Sequence, residues 1–174
     1  DFDAAGELFS PWYAAVASQA PDLVDRLVIE RSPSDGLHVA YRCEHPVCGS
    51  LKLAQRRMDV PTGDQVEIAG KMHVPRRDGD KWVVLLTLIE TRGEGGLVLC
   101  DPTPGYELQQ ESYVNLPVVT AAERDLLLQT AWELTEYRPV PEPTPIPRSE
   151  PMGRPGDDFN ARGNVSALLQ SHGW

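Results

Sequence analysis

Residues 27–43 run Leu27-Val28-Ile29-Glu30-Arg31-Ser32-Pro33-Ser34-Asp35-Gly36-Leu37-His38-Val39-Ala40-Tyr41-Arg42-Cys43. Its first five residues are a strand candidate, and Ser32 to Gly36 is a turn by composition. From Leu37 to Cys43 the chain alternates. Leu37, Val39, Tyr41 and Cys43 fall on one face; His38, Ala40 and Arg42 fall on the other. Two strands joined by such a turn make a β-hairpin, with His38 on its less apolar face.

Upstream, Asp1-Phe2-Asp3 reads as the end of a strand whose beginning lies outside the sequence. Ala4 to Gln19 is rich in helix formers, with Pro11 acceptable in a first turn behind a Ser10 cap. Pro21 and Asp22 open a short turn. Downstream, a Pro/Cys/Gly loop leads to a short strand candidate at Leu51 to Ala54. Residues 58–80 are polar and poorly periodic, a loop with room for one strand. Lys81 to Thr91 is apolar on both faces and is expected to be a central strand. Arg92-Gly93-Glu94-Gly95-Gly96 is a tight turn, and Leu97 to Cys100 is expected to return as a strand. Thr120-Ala121-Ala122-Glu123 is a capping box that opens a helix running to about Arg138. Leu126, Leu127, Thr130, Ala131 and Leu134 give that helix an apolar stripe. Three regions follow from this reading: a domain over residues 1–138, a Pro-rich linker over 139–155, and the start of a further helical segment over 156–174. Within the last, a helix is expected between an Asn164 cap and Gly173. The sequence shows no internal repeat.

The 174 residues are 41% hydrophobic and 24% charged, values of a globular chain and not of a disordered one. The longest apolar run, Trp82 to Ile89, is far short of the ~20 residues that span a bilayer, so no membrane partner is expected. No secretory opening is visible, and three cysteines, an odd number, suit a reducing compartment, so the expected location is cytoplasmic. The net charge of -10 weighs against indiscriminate nucleic-acid binding. That charge is unevenly spread: Lys52, Arg56, Arg57, Lys71, Arg76, Arg77 and Lys81 share one stretch, which reads equally as a template-facing surface or a solvated face. Cys43 and Cys48, with His45 between them, lack the second ligand pair that a closed zinc site needs.

The chemistry-bearing residues sit at strand ends. Asp1 and Asp3 are two apart, so both project from one face while Phe2 enters the core. Two carboxylates on one face repel each other, and a divalent cation compensates that repulsion. Glu90 closes the apolar strand just before the glycine-rich turn, and His38 begins the strand after Gly36. Singly, each has an ordinary reading: a solvated chain end, a solvent-facing histidine, a hairpin loop. Along the chain they stand in the order Asp1, Asp3, His38, Glu90.

That order resembles a known family. Asp1-Phe2-Asp3 is similar to the acid–hydrophobic–acid first motif of the archaeo-eukaryotic primase superfamily. Arg31-Ser32-Pro33-Ser34-Asp35-Gly36-Leu37-His38 resembles the second motif of its bifunctional primase/polymerase branch, and Ile89-Glu90-Thr91-Arg92-Gly93-Glu94-Gly95-Gly96 resembles the third. The resemblance covers roughly Asp1 to Arg138. The segment Arg154 to Asn160 is similar to the stretch that joins such domains to a helicase part in phage and plasmid replication proteins. Glu90 stands where the family more often has Asp, and Asp35 replaces a usual Gly.

The resemblance implies an α/β (α+β) fold with a mixed, largely antiparallel sheet, flanking helices and an RRM-like catalytic core. It implies that Asp1, Asp3 and Glu90 hold two Mg²⁺ or Mn²⁺ ions and that His38 contacts the phosphates of the incoming nucleotide. Arg31, Ser34, Lys52 and Arg92 are expected to contact phosphate or sugar; Arg92 shares a face with Glu90 by strand parity. The implied function is primase and DNA polymerase: nucleotidyl transfer from an NTP or dNTP to a 3'-hydroxyl on a single-stranded DNA template, with a helicase region in the same longer chain. Strands before the first motif are also implied, so this segment is expected to be N-terminally truncated and its activity by itself is in question. Two rivals use the same residues: a non-catalytic module that binds single-stranded DNA, and a metal-dependent phosphohydrolase or nuclease.

Overall fold

Apolar β-branched runs at Val28–Ile29 and Val83–Val84 build strands, and the capped Ala121–Glu133 segment builds a helix, giving a mixed α+β fold with antiparallel sheets and few helices. A computed structural model describes residues 1–47 and 49–138. In chain order these form a 3₁₀ turn (Ala4–Gly6), α1 (Phe9–Gln19), α2 (Pro21–Val24), β1 (Val28–Arg31), β2 (Leu37–Ala40), β3 (Arg42–Cys43) and β4 (Lys52–Val60). Then follow β5 (Val66–Ile68), β6 (Lys71–His73), β7 (Arg76–Asp78), β8 (Lys81–Glu90), β9 (Glu107–Gln110), a 3₁₀ turn (Tyr113–Asn115), β10 (Val118–Val119) and α3 (Ala121–Glu133).

Two three-stranded antiparallel ladders, β2-β1-β9 and β4-β8-β7, are joined through Phe2. Phe2 bridges Leu37 on one side and Ile89 on the other. The Phe2 N–H donates to the Leu37 carbonyl at 2.7 Å, and the Asp3 N–H donates to the Leu88 carbonyl at 2.9 Å. The Glu90 N–H donates to the Asp1 carbonyl at 3.0 Å. The Asp1–Asp3 segment therefore lies between β2 and β8, with β3–β10 a short parallel pair and β5–β6 a separate hairpin.

Alternation turns Phe2 into the core, where its ring packs on Phe9 and Trp12 at centroid distances of 5.4 and 5.0 Å. Trp12 in turn donates its indole N–H to the Leu127 carbonyl at 3.0 Å, tying α1 to α3 beneath the sheet. Val16, Leu27, Leu88, Leu127 and Ala131 complete this buried layer. Hydrophobic burial of this kind contributes about 25 cal/mol per Å² of apolar surface.

The hairpin at residues 27–43, the central strand β8 and the capping box of α3 all form. Other elements differ from expectation, each for a physical reason. The helix expected behind Ser10 starts at Phe9 with Leu8 at the cap, and Pro11 still falls in the first turn, where amides have no helical partner. The short strand at Leu51 to Ala54 extends to Val60, because Arg56 and Arg57 meet Glu7, Glu136, Asp59 and Asp78 and so can lie half-buried on a strand. Residues 58–80 hold three strands, not a loop with one. Leu97 to Cys100 is not a strand: Leu97 is 86% exposed, and the strand that follows the glycine turn is β9, against β1. Helix α3 ends at Glu133 and not near Arg138, because Glu136 and Tyr137 donate their N–H groups to the Gln55 carbonyl at 3.0 and 2.9 Å. The linker expected over 139–155 and the helical segment over 156–174 lie outside the described residues. Among the described residues, no helix is long and apolar enough to cross a membrane.

Candidate active site

The turn between β1 and β2 sets the site's position. Asp35 adopts a left-handed φ of 59°, a conformation that Asp tolerates better than most residues. Gly36 is required for closeness: a Cβ there would stand 2.8 Å from the Phe2 carbonyl oxygen and 3.0 Å from Ser32 Oγ. The turn thus seats the Asp1–Asp3 segment against β2.

Because Phe2 and Ile89 face the core together, Asp1, Asp3 and Glu90 face the other way. Asp1 Oδ1 lies 3.6 Å from His38 Nε2, and Asp1 Oδ2 lies 3.8 Å from Arg92 Nε. Arg92 also donates to Glu90 Oε1. Lys52 stands opposite Glu90 in the β4–β8 register and so shares its face. Asp3 belongs to the same face and accepts a hydrogen bond from Lys71 on β6. Asp1 thus approaches His38 on one side and Arg92 on the other, and Arg92 links it to Glu90, with Asp3 and Lys52 on the same face.

Two expected contact residues are not brought in. Arg31 pairs with Leu37 in the hairpin register and so lies on the opposite face from His38. It approaches Asp35 at 3.7 Å and borders a shallow groove with Tyr13 and Gln109. Parity is the reason: Glu30, one residue earlier, takes the site face. Ser34 is exposed in the turn, its hydroxyl 3.3 Å from Ser32 Oγ.

Glu30 is the residue that motif reading missed. Its side chain is 0% exposed, and it faces His38 directly in the β1–β2 ladder. Its oxygens meet His38 Nδ1 at 3.2 Å, the Tyr113 hydroxyl at 3.1 Å and the Asp101 N–H at 2.6 Å. The Tyr106 ring lies 5.8 Å from the imidazole, centroid to centroid. A detectable signal existed: Glu30 is the lone charge in Leu27-Val28-Ile29-Glu30, and the five-residue turn sets it opposite His38.

Burial lowers the His38 pKa, opposed by the hydrogen bond with Glu30 and by its charge. Burial also pushes the Tyr113 hydroxyl well above its usual range, reinforced by the Glu30 charge, which keeps it a proton donor. A cavity of about 780 Å³ opens beside Asp1, His38 and Glu90, with Leu53 and Leu127 in its apolar wall.

Asp1, Asp3 and Glu90 offer carboxylate oxygens, the donor set of hard divalent cations. Among the described residues no three His, Cys, Asp or Glu side chains already converge as a ligand set. Instead, the Glu90 and Asp3 carboxylates are paired with the cations of Arg92 and Lys71. Their charge is thus compensated by side chains that can swing away. Of the basic stretch 52–81, Arg56, Arg57, Lys71 and Lys81 are also bound to carboxylates. Of the paired cysteines considered for zinc, Cys43 is partly buried and Cys48 lies outside the described residues.

No family model, curated protein or solved structure matches this chain.

Proposed function

We propose that the chain is the catalytic part of a DNA primase/polymerase that transfers a nucleotidyl group from an NTP or dNTP to a 3'-hydroxyl on a single-stranded template. The observation that carries this reading is the approach of Asp1 to His38 and its link through Arg92 to Glu90, from three segments of one sheet. In this reading the Asp1–Asp3 segment, the β1–β2 hairpin and β8 are the RRM-like part of the core.

Asp1, Asp3 and Glu90 would hold two Mg²⁺ or Mn²⁺ ions, which supply activation of the attacking hydroxyl and charge neutralisation at the leaving pyrophosphate. The remaining roles belong to the chain itself. His38 presents Nε2 toward Asp1 and the open side of the sheet, where the ring in its doubly protonated, charged form donates to a phosphate oxygen. Arg92 and Lys52 add positive charge beside Glu90 and bind triphosphate oxygens. Arg92 and Lys71, which pair with Glu90 and Asp3, would bind phosphate oxygens with those carboxylates given over to the ions. The single-stranded template and a helicase region in a longer chain complete the proposal, with replication of a phage or plasmid as its setting.

The test is primer extension with Mg²⁺ or Mn²⁺ and labelled nucleotides, using the protein with any native flanking sequence retained, beside an Asp1→Ala, Asp3→Ala double variant. Extension by the parent and none by the variant is expected. Degradation of DNA or nucleotides without extension would favour a metal-dependent phosphohydrolase or nuclease. Template binding without turnover would favour a non-catalytic single-stranded-DNA module.

A further inference from the structure

We propose that Glu30 is a positioning residue: it binds His38 Nδ1–H from inside the sheet and so presents Nε2 to the site. The inference rests on the polymerase reading for what His38 then touches, and on geometry alone for how His38 is held.

A carboxyl group removed from water is costly unless its oxygens find donors. Glu30 is fully buried, and its three partners come from three places: His38 on β2, Asp101 in the segment before β9, and Tyr113 in the second 3₁₀ turn. A backbone N–H can only donate, so Asp101 donates to Oε1. The Tyr113 hydroxyl, held protonated, donates to Oε2. A carboxylate accepts every one of these bonds, and the remaining acceptor direction on Oε2 faces His38 Nδ1 at 3.2 Å. The simplest complete hydrogen-bond set therefore places a proton on Nδ1.

Nε2 is then the nitrogen that faces outward, 3.6 Å from Asp1 Oδ1, whichever charge the ring carries. Turning the ring over would set a carbon against Glu30 and leave a buried oxygen short of a donor. The Tyr106 ring further limits rotation. The same carboxyl group also ties Asp101, and with it the end of the segment that leaves the glycine turn, to the hairpin. Glu30 thus fixes in one buried knot the histidine and the approach of the neighbouring loop.

The tautomer of His38 is the direct test, read by nitrogen-15 NMR of the protein with His38→Gln used to assign the signals. The expected result is a single Nδ1–H tautomer for neutral His38 in the parent protein and a shift toward Nε2–H or mixed tautomers in Glu30→Gln. An Nε2–H tautomer in the parent overturns the proposal without any variant having to fold. An unchanged tautomer in a folded Glu30→Gln protein overturns it as well. In extension assays the same variant should raise the nucleotide KM by about 10- to 100-fold, more than it lowers kcat, the scale seen when partners that orient a ligand histidine are removed. Absence of extension in a parent that shows the Nδ1–H tautomer would count against the polymerase reading and leave the role of Glu30 standing.

Discussion

Asp1 Oδ1 and His38 Nε2 face one another at 3.6 Å, and backbone hydrogen bonds between Phe2 and Leu37 hold that approach in place. The separation depends on how closely the β1–β2 turn seats against the first segment. Gly36 sets this closeness, since any Cβ there would meet the Phe2 carbonyl oxygen at 2.8 Å. Gly36→Ala should therefore push the Asp1–Asp3 segment away from β2. The expected cost is about 1–3 kcal/mol, typical of overpacking, read as a lower urea midpoint. Nucleotide incorporation should fall with it, at denaturant-free conditions where the variant is folded. An unchanged midpoint would mean the turn yields freely.

Arg92 touches both Asp1 and Glu90, so it competes with a divalent cation for the same carboxylates. Arg92→Ala removes the cation that both carboxylates share. Mn²⁺ should then bind more tightly, and thermal stabilisation by Mn²⁺ should exceed that of the parent. A saturating ligand at a hundred times its Kd adds about 2.7 kcal/mol. Incorporation should nevertheless drop, because the guanidinium no longer meets the triphosphate. Equal Mn²⁺ affinity in parent and variant would show that Asp1 and Glu90 do not share a metal.

The floor beneath the acids is Trp12, which packs on Phe2 and hydrogen-bonds Leu127. Trp12→Ala should cost about 3–5 kcal/mol, as large buried aromatics do. Trp12→Phe keeps most of the packing and loses the indole donor, for a smaller cost of about 0.5–1.5 kcal/mol. Chemical denaturation of the two variants separates these contributions. If both cost the same, the hydrogen bond and not the packing ties α1 to α3.

The hairpin and the apolar β8 were legible because their residues alternate or cluster at the period of a strand. Motif order pointed to the strand ends that carry Asp1, His38 and Glu90, but not to the residues that support them. Glu30 was missed because it stands outside the motifs, although its parity with His38 was readable from the hairpin. Arg31 adjoins the site in sequence but not in space, since one residue along a strand is the opposite face. The polar strands β4 to β7 were hidden because cross-strand ion pairs such as Arg57 with Asp78, not apolar runs, mark their faces. Leu97 to Cys100 misled in the converse way: the stretch is apolar, yet Leu97, Val98 and Leu99 stay exposed and outside any strand.

The capping box of α3 links stability to pH. Glu123 accepts from the Thr120 backbone N–H and from Arg26, and both hold its carboxyl below the ordinary value of 4.5. A depressed carboxyl pKa contributes stability that is complete above the unfolded value and is lost as pH falls through the folded one. Urea denaturation between about pH 7 and pH 3 should therefore show a loss in the parent concentrated below the unfolded value of 4.5. Glu123→Gln keeps an acceptor for the box but loses the titrating charge, so its stability should start lower and fall less over the same range. Thr120→Ala removes the side-chain acceptor that meets the Glu123 N–H at 3.2 Å and should cost about 1 kcal/mol at neutral pH. Because Thr120 and Glu123 bond each other, the double variant should lose less than the two single losses added together. Parallel pH curves for the parent and Glu123→Gln would show that the acid sensitivity arises elsewhere in the chain.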